Sequence, residues 1–330
     1  MRAIRASLVI LFMLFAVYLA NAQGFDLVDN FNKGMAAYDS GQYELAIKYL
    51  EPCEKIVSQD TTKEAQEIDN SLLAVMTLSH AQLGKYKIAI DLGTRALDIQ
   101  KRLFGDSSPD YAFWLNNLAS YYSKLGDYSR AVELATQTME IRKQIFGETS
   151  SDYATSLDNL ALNYSYIGDC KKAIELGTHA MEIRKQVFGE TSSDYATSLN
   201  NLAMSYCHLG DYTKAIELGT QALGIQKRVC GESSSDYATS LNNLAMYYSH
   251  LDDYTKAVEL GTQSMEIRKR VLGESSSDYA ASLNNLAMYY FHLGDYTKAV
   301  ELGMQSMGIF KRVLGESSSD YALSLDNLAQ

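Results

Sequence analysis

A repeat of 42 residues runs through most of this sequence and limits the folds that it can adopt. The tripeptide Asp-Tyr-Ala recurs at this interval, and its aspartates are Asp110, Asp152, Asp194, Asp236, Asp278 and Asp320. The copies that begin at Asp236 and Asp278 differ at only six of 42 positions. A fixed period of this length is typical of repeat architectures, in which each unit buries its apolar face only by stacking on its neighbours.

Each copy is predicted to form two helices joined by a tight turn. In the copy that begins at Asp194, apolar residues at i, i+3, i+4 and i+7 define a first helix: Leu199, Leu202, Ala203 and Tyr206. Gly210 is suited to a left-handed helix end, and Asp211 is suited to capping a second helix that ends near Val229. The polar connector 232–236 follows, and its last residue, Asp236, is expected to cap the next first helix.

The repeat register extends backward through two more divergent copies. Gly84 aligns with Gly126 at the same offset, and a further helix pair is predicted from Asn32 to Val57. The predicted organisation is a signal segment 1–22, units 23–62, 63–109, 110–151, 152–193, 194–235, 236–277 and 278–319, and an incomplete unit 320–330. Because the last helix would lack its partner, we expect the chain to be a fragment or truncated. The predicted fold class is all-α, a solenoid of stacked helix hairpins.

The unit resembles the tetratricopeptide repeat, through Leu202-Ala203, Tyr206, Ala215 and Gly219. More narrowly, the segments 241–245 and 266–269 resemble the 42-residue kinesin light chain-like subgroup. The resemblance implies a right-handed superhelix whose concave groove binds proteins or peptides. Two departures leave local packing open, since serine replaces the usual His-Pro before each first helix, and glycine replaces a bulky second-helix residue at Gly177, Gly219, Gly261 and Gly303. Glycine inside a helix costs about 1 kcal/mol relative to alanine, so its recurrence indicates close helix approach.

The N-terminal segment and the cysteines indicate in which cellular compartment the protein resides. Residues 1–22 have the positive start, short apolar run and Ala20-Asn21-Ala22 site of a cleaved secretory signal, although an uncleaved anchor is the alternative. We therefore expect export to the bacterial periplasm, cell envelope or exterior, with no membrane span in the mature chain. Four cysteines lack metal-ligand spacing and are expected to be solitary core residues, although export would permit a disulfide: Cys53, Cys170, Cys207 and Cys230.

Composition and motifs favour a binding scaffold over an enzyme. The net charge of −11 and the pI near 5.0 argue against nucleic acid and favour a neutral or basic protein partner. We found no phosphate loop, metalloprotease motif or nucleophile elbow, so neither catalysis nor a cofactor is expected. The alternatives are a recognition arm of a larger enzyme or sensor and a structural spacer. The sequence does not indicate an oligomeric state.

The binding residues are expected on the side of each first helix opposite its apolar face. These candidates are Thr197 and Thr239, Asn117, Asn159, Asn201, Asn243 and Asn285, Met204, Met246 and Met288, and His208, His250 and His292. A column of carboxamides suits the backbone of an extended peptide, but it could equally bond neighbouring first helices together. The methionines could line the groove or pack against the next unit. The histidines would sit on helices about 8–10 Å apart, too far for one zinc ion, so groove or solvent-facing roles are expected.

Overall fold

The computed structural model describes residues 25–316 and 318–328, and all regular secondary structure in this part is α-helical. The predicted signal segment therefore lies outside the described residues. The helices are α1 Phe25–Asp39, α2 Tyr43–Val57, α3 Lys63–Gln82, α4 Tyr86–Phe104, α5 Pro109–Lys124, α6 Tyr128–Phe146, α7 Ser151–Tyr166, α8 Cys170–Phe188, α9 Ser193–Leu209, α10 Tyr212–Val229, α11 Ser235–Ser249, α12 Tyr254–Leu272, α13 Ser277–His292, α14 Tyr296–Leu314 and α15 Ser319–Leu328. None of them is both long and apolar enough to cross a membrane.

The described chain falls into two compact units. The N-terminal unit ends at Ile141 and the C-terminal unit begins at Arg142, so the boundary falls within α6. Within each unit, helices adjacent in sequence pack as hairpins, and each hairpin packs against the next. The predicted all-α fold class of stacked helix hairpins is confirmed.

From α5 to α13 each first helix is capped by a serine, and the prediction that Asp236 caps α11 is wrong. Ser234 has an extended backbone (φ −88°, ψ 154°), and its Oγ accepts a hydrogen bond from the Tyr237 backbone N–H at 3.2 Å. Asp236 therefore lies inside the first turn, where its carboxylate still interacts favourably with the helix dipole. Ser108, Ser150, Ser192 and Ser276 cap their helices in the same way.

The turn within each hairpin forms as the sequence predicts. Gly210 adopts the left-handed conformation with φ 88°, and the Asp211 carboxylate accepts a hydrogen bond from the Lys214 backbone N–H at 3.0 Å. Helix α10 ends at Val229 as expected. In the next copy an aspartate, Asp252, occupies the left-handed position with φ 60°. This conformation costs a residue with a Cβ atom more than it costs glycine.

The N-terminal unit has its own apolar core. Leu50, Leu72 and Leu73 are fully buried between α2, α3 and their neighbours, and Trp114 joins the same cluster with 4% of its surface exposed. Trp114 occupies the position at which later copies carry serine. Helix α1 includes Phe25–Asp39, so the first helix pair extends further toward the N-terminus than the Asn32 start expected from the sequence. Leu27 and Phe31 add to the buried face of α1 there.

The core of the C-terminal unit repeats with the sequence. Leu199, Leu241 and Leu283 are each 1% exposed at equivalent positions, and burying one leucine contributes about 1.5–3 kcal/mol. The second-helix glycines lie against the next first helix: a Cβ atom on Gly219 would come within 3.1 Å of Leu244 Cδ2. Close helix approach at these glycines is confirmed.

All four cysteines are free thiols. Cys53, Cys170 and Cys207 are buried, as expected for solitary core residues, whereas Cys230 is half-buried. Burial raises the pKa of Cys53 and of Cys207 to about 11. These two thiols are therefore protonated and unreactive at neutral pH.

Candidate functional site

One side of the first helices in the C-terminal unit carries an asparagine, a methionine and a histidine at equivalent positions of α9, α11 and α13. We call this surface the ladder face. It is defined by Thr197, Asn201, Met204 and His208 on α9, by Thr239, Asn243 and Met246 on α11 with His250 at its C-terminal cap, and by Asn285, Met288 and His292 on α13. The spacing i, i+4, i+7 and i+11 places these residues on one side of each helix. All of them are exposed or half-buried, so the structure brings these predicted residues to one accessible surface.

The remaining two predicted asparagines lie on other helices. Asn159 is half-buried on α7 of the C-terminal unit, and Asn117 is half-buried on α5 of the N-terminal unit. The Asn117 Nδ2 atom is shielded from solvent and makes no hydrogen bond within the described residues. Leaving a buried amide N–H without a partner costs free energy, and this N–H remains able to donate a hydrogen bond.

The carboxamide column takes part in stacking. Asn285 Nδ2 donates to Asn242 Oδ1 on the preceding first helix at 3.2 Å. Asn201 lies beside the Asp158 carboxylate, and its amide helps to keep the pKa of that carboxyl from rising further. These contacts support the stacking role at two positions, while peptide binding by the column remains a prediction.

A buried polar seam lies between consecutive hairpins beneath the ladder face. Arg184 Nη1 lies 2.5 Å from Asp158 Oδ2 and 2.6 Å from Ser198 Oγ, and the two charged side chains are almost fully buried. Burial raises the pKa of Asp158, and the charge of Arg184 opposes that rise. The seam therefore holds a charge pair that is strongly coupled because both partners are desolvated.

Another copy has the arginine of this seam without its carboxylate. Arg268 donates from Nη1 to Ser282 Oγ at 2.9 Å and to the Asp278 backbone carbonyl at 3.2 Å. Asn242 stands where Asp158 would be, and no carboxylate within the described residues forms an ion pair with Arg268. Burial consequently lowers the pKa of Arg268.

Sequence reasoning missed this seam, although a signal for it was present. The paired residues Asp158 and Arg184 are separated by 26 residues, as are Asn242 and Arg268. A charged residue that recurs on the mostly apolar side of a second helix would have indicated a buried polar contact, because buried charges require partners.

The three histidines contact tyrosines rather than converging on one point. The His250 ring stacks on Tyr212 with centroids 4.8 Å apart, and the His292 ring stacks on Tyr254 at 4.6 Å. His208 meets Tyr166 edge to face at 5.4 Å. Partial burial lowers the pKa of His208, and the neighbouring His250 lowers it further. Among the described residues, no group of three or more His, Cys, Asp or Glu side chains could hold a metal ion.

The methionines differ in their surroundings. Met204 and Met246 are half-buried and pack against the apolar core, which supports the packing alternative for both. Met288 is 37% exposed and lines a cleft of about 560 Å³ with Phe291, Val300 and Leu328. All three present some apolar surface to solvent on the ladder face.

Comparison with protein families gives matches along most of the chain. The model of one family, described as tetratricopeptide repeat, matches residues 70–144, 131–186, 194–270 and 278–330, and a second model with the same description matches residues 30–56. No curated protein matches in the sequence comparison.

Solved structures with similar folds are numerous. A kinesin light chain protein from Podosopora anserina with nearly identical TPR-like repeats is 26% identical, with a TM-score of 0.48 over 62% of this chain and 97% of that one. BtubC (BKLC) from P. vanneervenii is 24% identical, with a TM-score of 0.51 over 72% and 92% of the two chains. The apo form of RapI is 17% identical, with a TM-score of 0.65 over 88% and 99%.

Proposed function

Because the chain belongs to the tetratricopeptide repeat family, whose fold generally serves as a protein-interaction scaffold, we propose that it binds an extended peptide segment of a partner protein along the ladder face. The observation that carries the proposal is the recurrence of the same accessible side chains on three consecutive first helices. Most other first-helix side chains in this unit are buried in the core or in the seam.

The chemistry of the ladder face suits a peptide backbone. An extended peptide presents N–H and C=O groups in turn, and a carboxamide can both donate and accept hydrogen bonds. Asn201, Asn243 and Asn285 offer one carboxamide on each helix. Methionine side chains adapt their shape to different apolar groups, so Met204, Met246 and Met288 suit the side chains of the same peptide.

A displayed library of unstructured peptides tests the proposal with the chain 23–330 as bait. Selected peptides should bind the native chain and lose affinity when Asn243 and His250 are both replaced by alanine. A matched control replaces Thr213, an exposed residue on α10 outside the ladder face, and should bind normally. Failure to select any peptide, or equal loss in the control, would argue against the proposal.

We also propose that residues 1–22 direct export and are removed after Ala22, on the strength of their charge and hydrophobic pattern. Expression in a bacterial host followed by fractionation and N-terminal sequencing tests this. A mature chain beginning at Gln23 outside the cytoplasm is expected, and full-length chain retained in the cytoplasm would contradict it.

A further inference from the structure

The ladder face presents equal groups at equal steps, and this regularity limits what it can bind. Residues 42 apart share their chemistry on α9, α11 and α13, namely an asparagine, a methionine and a histidine. Each histidine also pairs with a tyrosine: Tyr212–His250 and Tyr254–His292 stack with interplanar angles of 3° and 10°, and Tyr166–His208 meets edge to face. Because the three subsites carry the same residue types, a partner that fills all of them must itself be periodic.

The step between subsites follows from how the first helices pack. Asn200 Nδ2 on α9 donates to Ser240 Oγ on α11 at 2.7 Å, and Asn285 on α13 bonds Asn242 on α11. Helices joined directly by such short side chains have axes about 8–10 Å apart. The partner must therefore present one equivalent group about every 8–10 Å.

Two extended backbone conformations can be compared with this step. In a β-strand, side chains on one face recur every second residue, or about every 6.6 Å, which is too short. In a polyproline II helix, side chains on one side recur every third residue, and three residues rise about 9.3 Å. Only the second conformation keeps its register with α9, α11 and α13.

We propose that the ladder face binds a peptide in the polyproline II conformation, with a proline at every third residue. Proline-rich segments in this conformation dock on aromatic-lined surfaces, and the Tyr–His pairs supply aromatic surface at each step. A polyproline II backbone has no internal hydrogen bonds, so its carbonyl groups are free to accept from the asparagines. This inference rests on the proposed function and specifies the partner.

A peptide series measures the period directly on the chain 23–330. The probes are one to four copies of Pro-Gln-Gln, labelled for fluorescence anisotropy, and a control of the same composition as the four-copy peptide with irregularly spaced prolines. Affinity should rise at least about tenfold from one copy to three, because each added triplet engages another subsite. A fourth copy should add little affinity, because the ladder face has three subsites. The irregular control should bind at least about tenfold more weakly than the four-copy peptide.

Two single substitutions locate the run of subsites. His250→Ala, at the end of the middle helix, separates the outer subsites, whereas His208→Ala leaves two adjacent subsites intact. The first should lower affinity for the four-copy peptide about tenfold and the second about threefold, with circular dichroism confirming that both remain folded. Equal binding of the irregular control would overturn the polyproline inference but leave peptide binding standing. Absence of binding to every Pro-Gln-Gln probe would overturn the inference as well, and the displayed library then decides the proposed function separately.

Discussion

Replacing Gly219 with alanine should leave the free energy of unfolding unchanged or lower it, whereas the same change at Gly224 on the same helix should raise it. Both glycines lie within α10, so alanine improves helix propensity by about 1 kcal/mol at either position. Their surroundings differ. Gly224 is exposed, and a Cβ atom there would meet nothing within 4 Å.

At Gly219 the added carbon meets the next first helix. It would lie 3.1 Å from Leu244 Cδ2 and 3.4 Å from Tyr247 Cε2, and neither side chain is more than 3% exposed. Because both are packed on all sides, they cannot move aside cheaply, and overpacking of this kind costs about 1–3 kcal/mol. Once the gain in helix propensity is subtracted, Gly219→Ala should be neutral to about 2 kcal/mol destabilising. Its free energy of unfolding should be about 1–3 kcal/mol lower than that of Gly224→Ala.

Urea unfolding of the chain 23–330, followed by circular dichroism, measures both variants against the parent. Gly224→Ala is the matched control, since it changes the same helix in the same chemical way. A gain in stability for Gly219→Ala equal to that of Gly224→Ala would refute the argument that this glycine is kept by crowding.

Three further substitutions test other features. Asp252→Gly should raise stability by about 0.5–1 kcal/mol because the residue has φ 60°, and an unchanged melting temperature would contradict this. Asn242→Asp should raise the free energy of unfolding by about 1–3 kcal/mol, because it gives Arg268 a carboxylate partner. No increase in denaturant unfolding at pH 7 would contradict this prediction. Burial, then the charge of Glu54, raises the pKa of Asp69 from 3.8 to about 6. The folded state therefore holds this proton more tightly, and stability should fall as pH rises from about 4 to about 6. Asp69→Asn should remove that fall and stabilise the chain at pH 7 by about 1–3 kcal/mol, as seen in unfolding at several pH values.

Much of the fold was predictable because its determinants are local and repeated. The left-handed Gly210, the Asp211 cap and the end of α10 depend on residues next to one another in sequence. The repeat period then carried these assignments along the chain. Asp236 was misplaced because serine and aspartate are both good caps, and only the backbone angles of Ser234 show which of them lies at the helix boundary.

From the sequence, only the side of each first helix that carries the candidate site could be predicted. Helical periodicity placed His250 and Met246 on one side of α11, but it could not show that His250 stacks on Tyr212 of the preceding hairpin. Contacts between copies depend on how hairpins stack, and period alone does not determine that. The ion pair between Asp158 and Arg184 could not be predicted from the period for the same reason.

An asparagine of the column can take part in stacking and in ligand binding at the same time. Asn285 donates one N–H to Asn242, which leaves its second N–H and its Oδ1 for a ligand. Asn242→Ala and Asn285→Ala break the same hydrogen bond from opposite sides, so both should destabilise the chain by about 1 kcal/mol. Only Asn285 belongs to the ladder face, so only its replacement should also weaken binding of the Pro-Gln-Gln peptide, measured well below the melting temperature of each variant. Equal affinity in the two variants would show that Asn285 serves stacking alone.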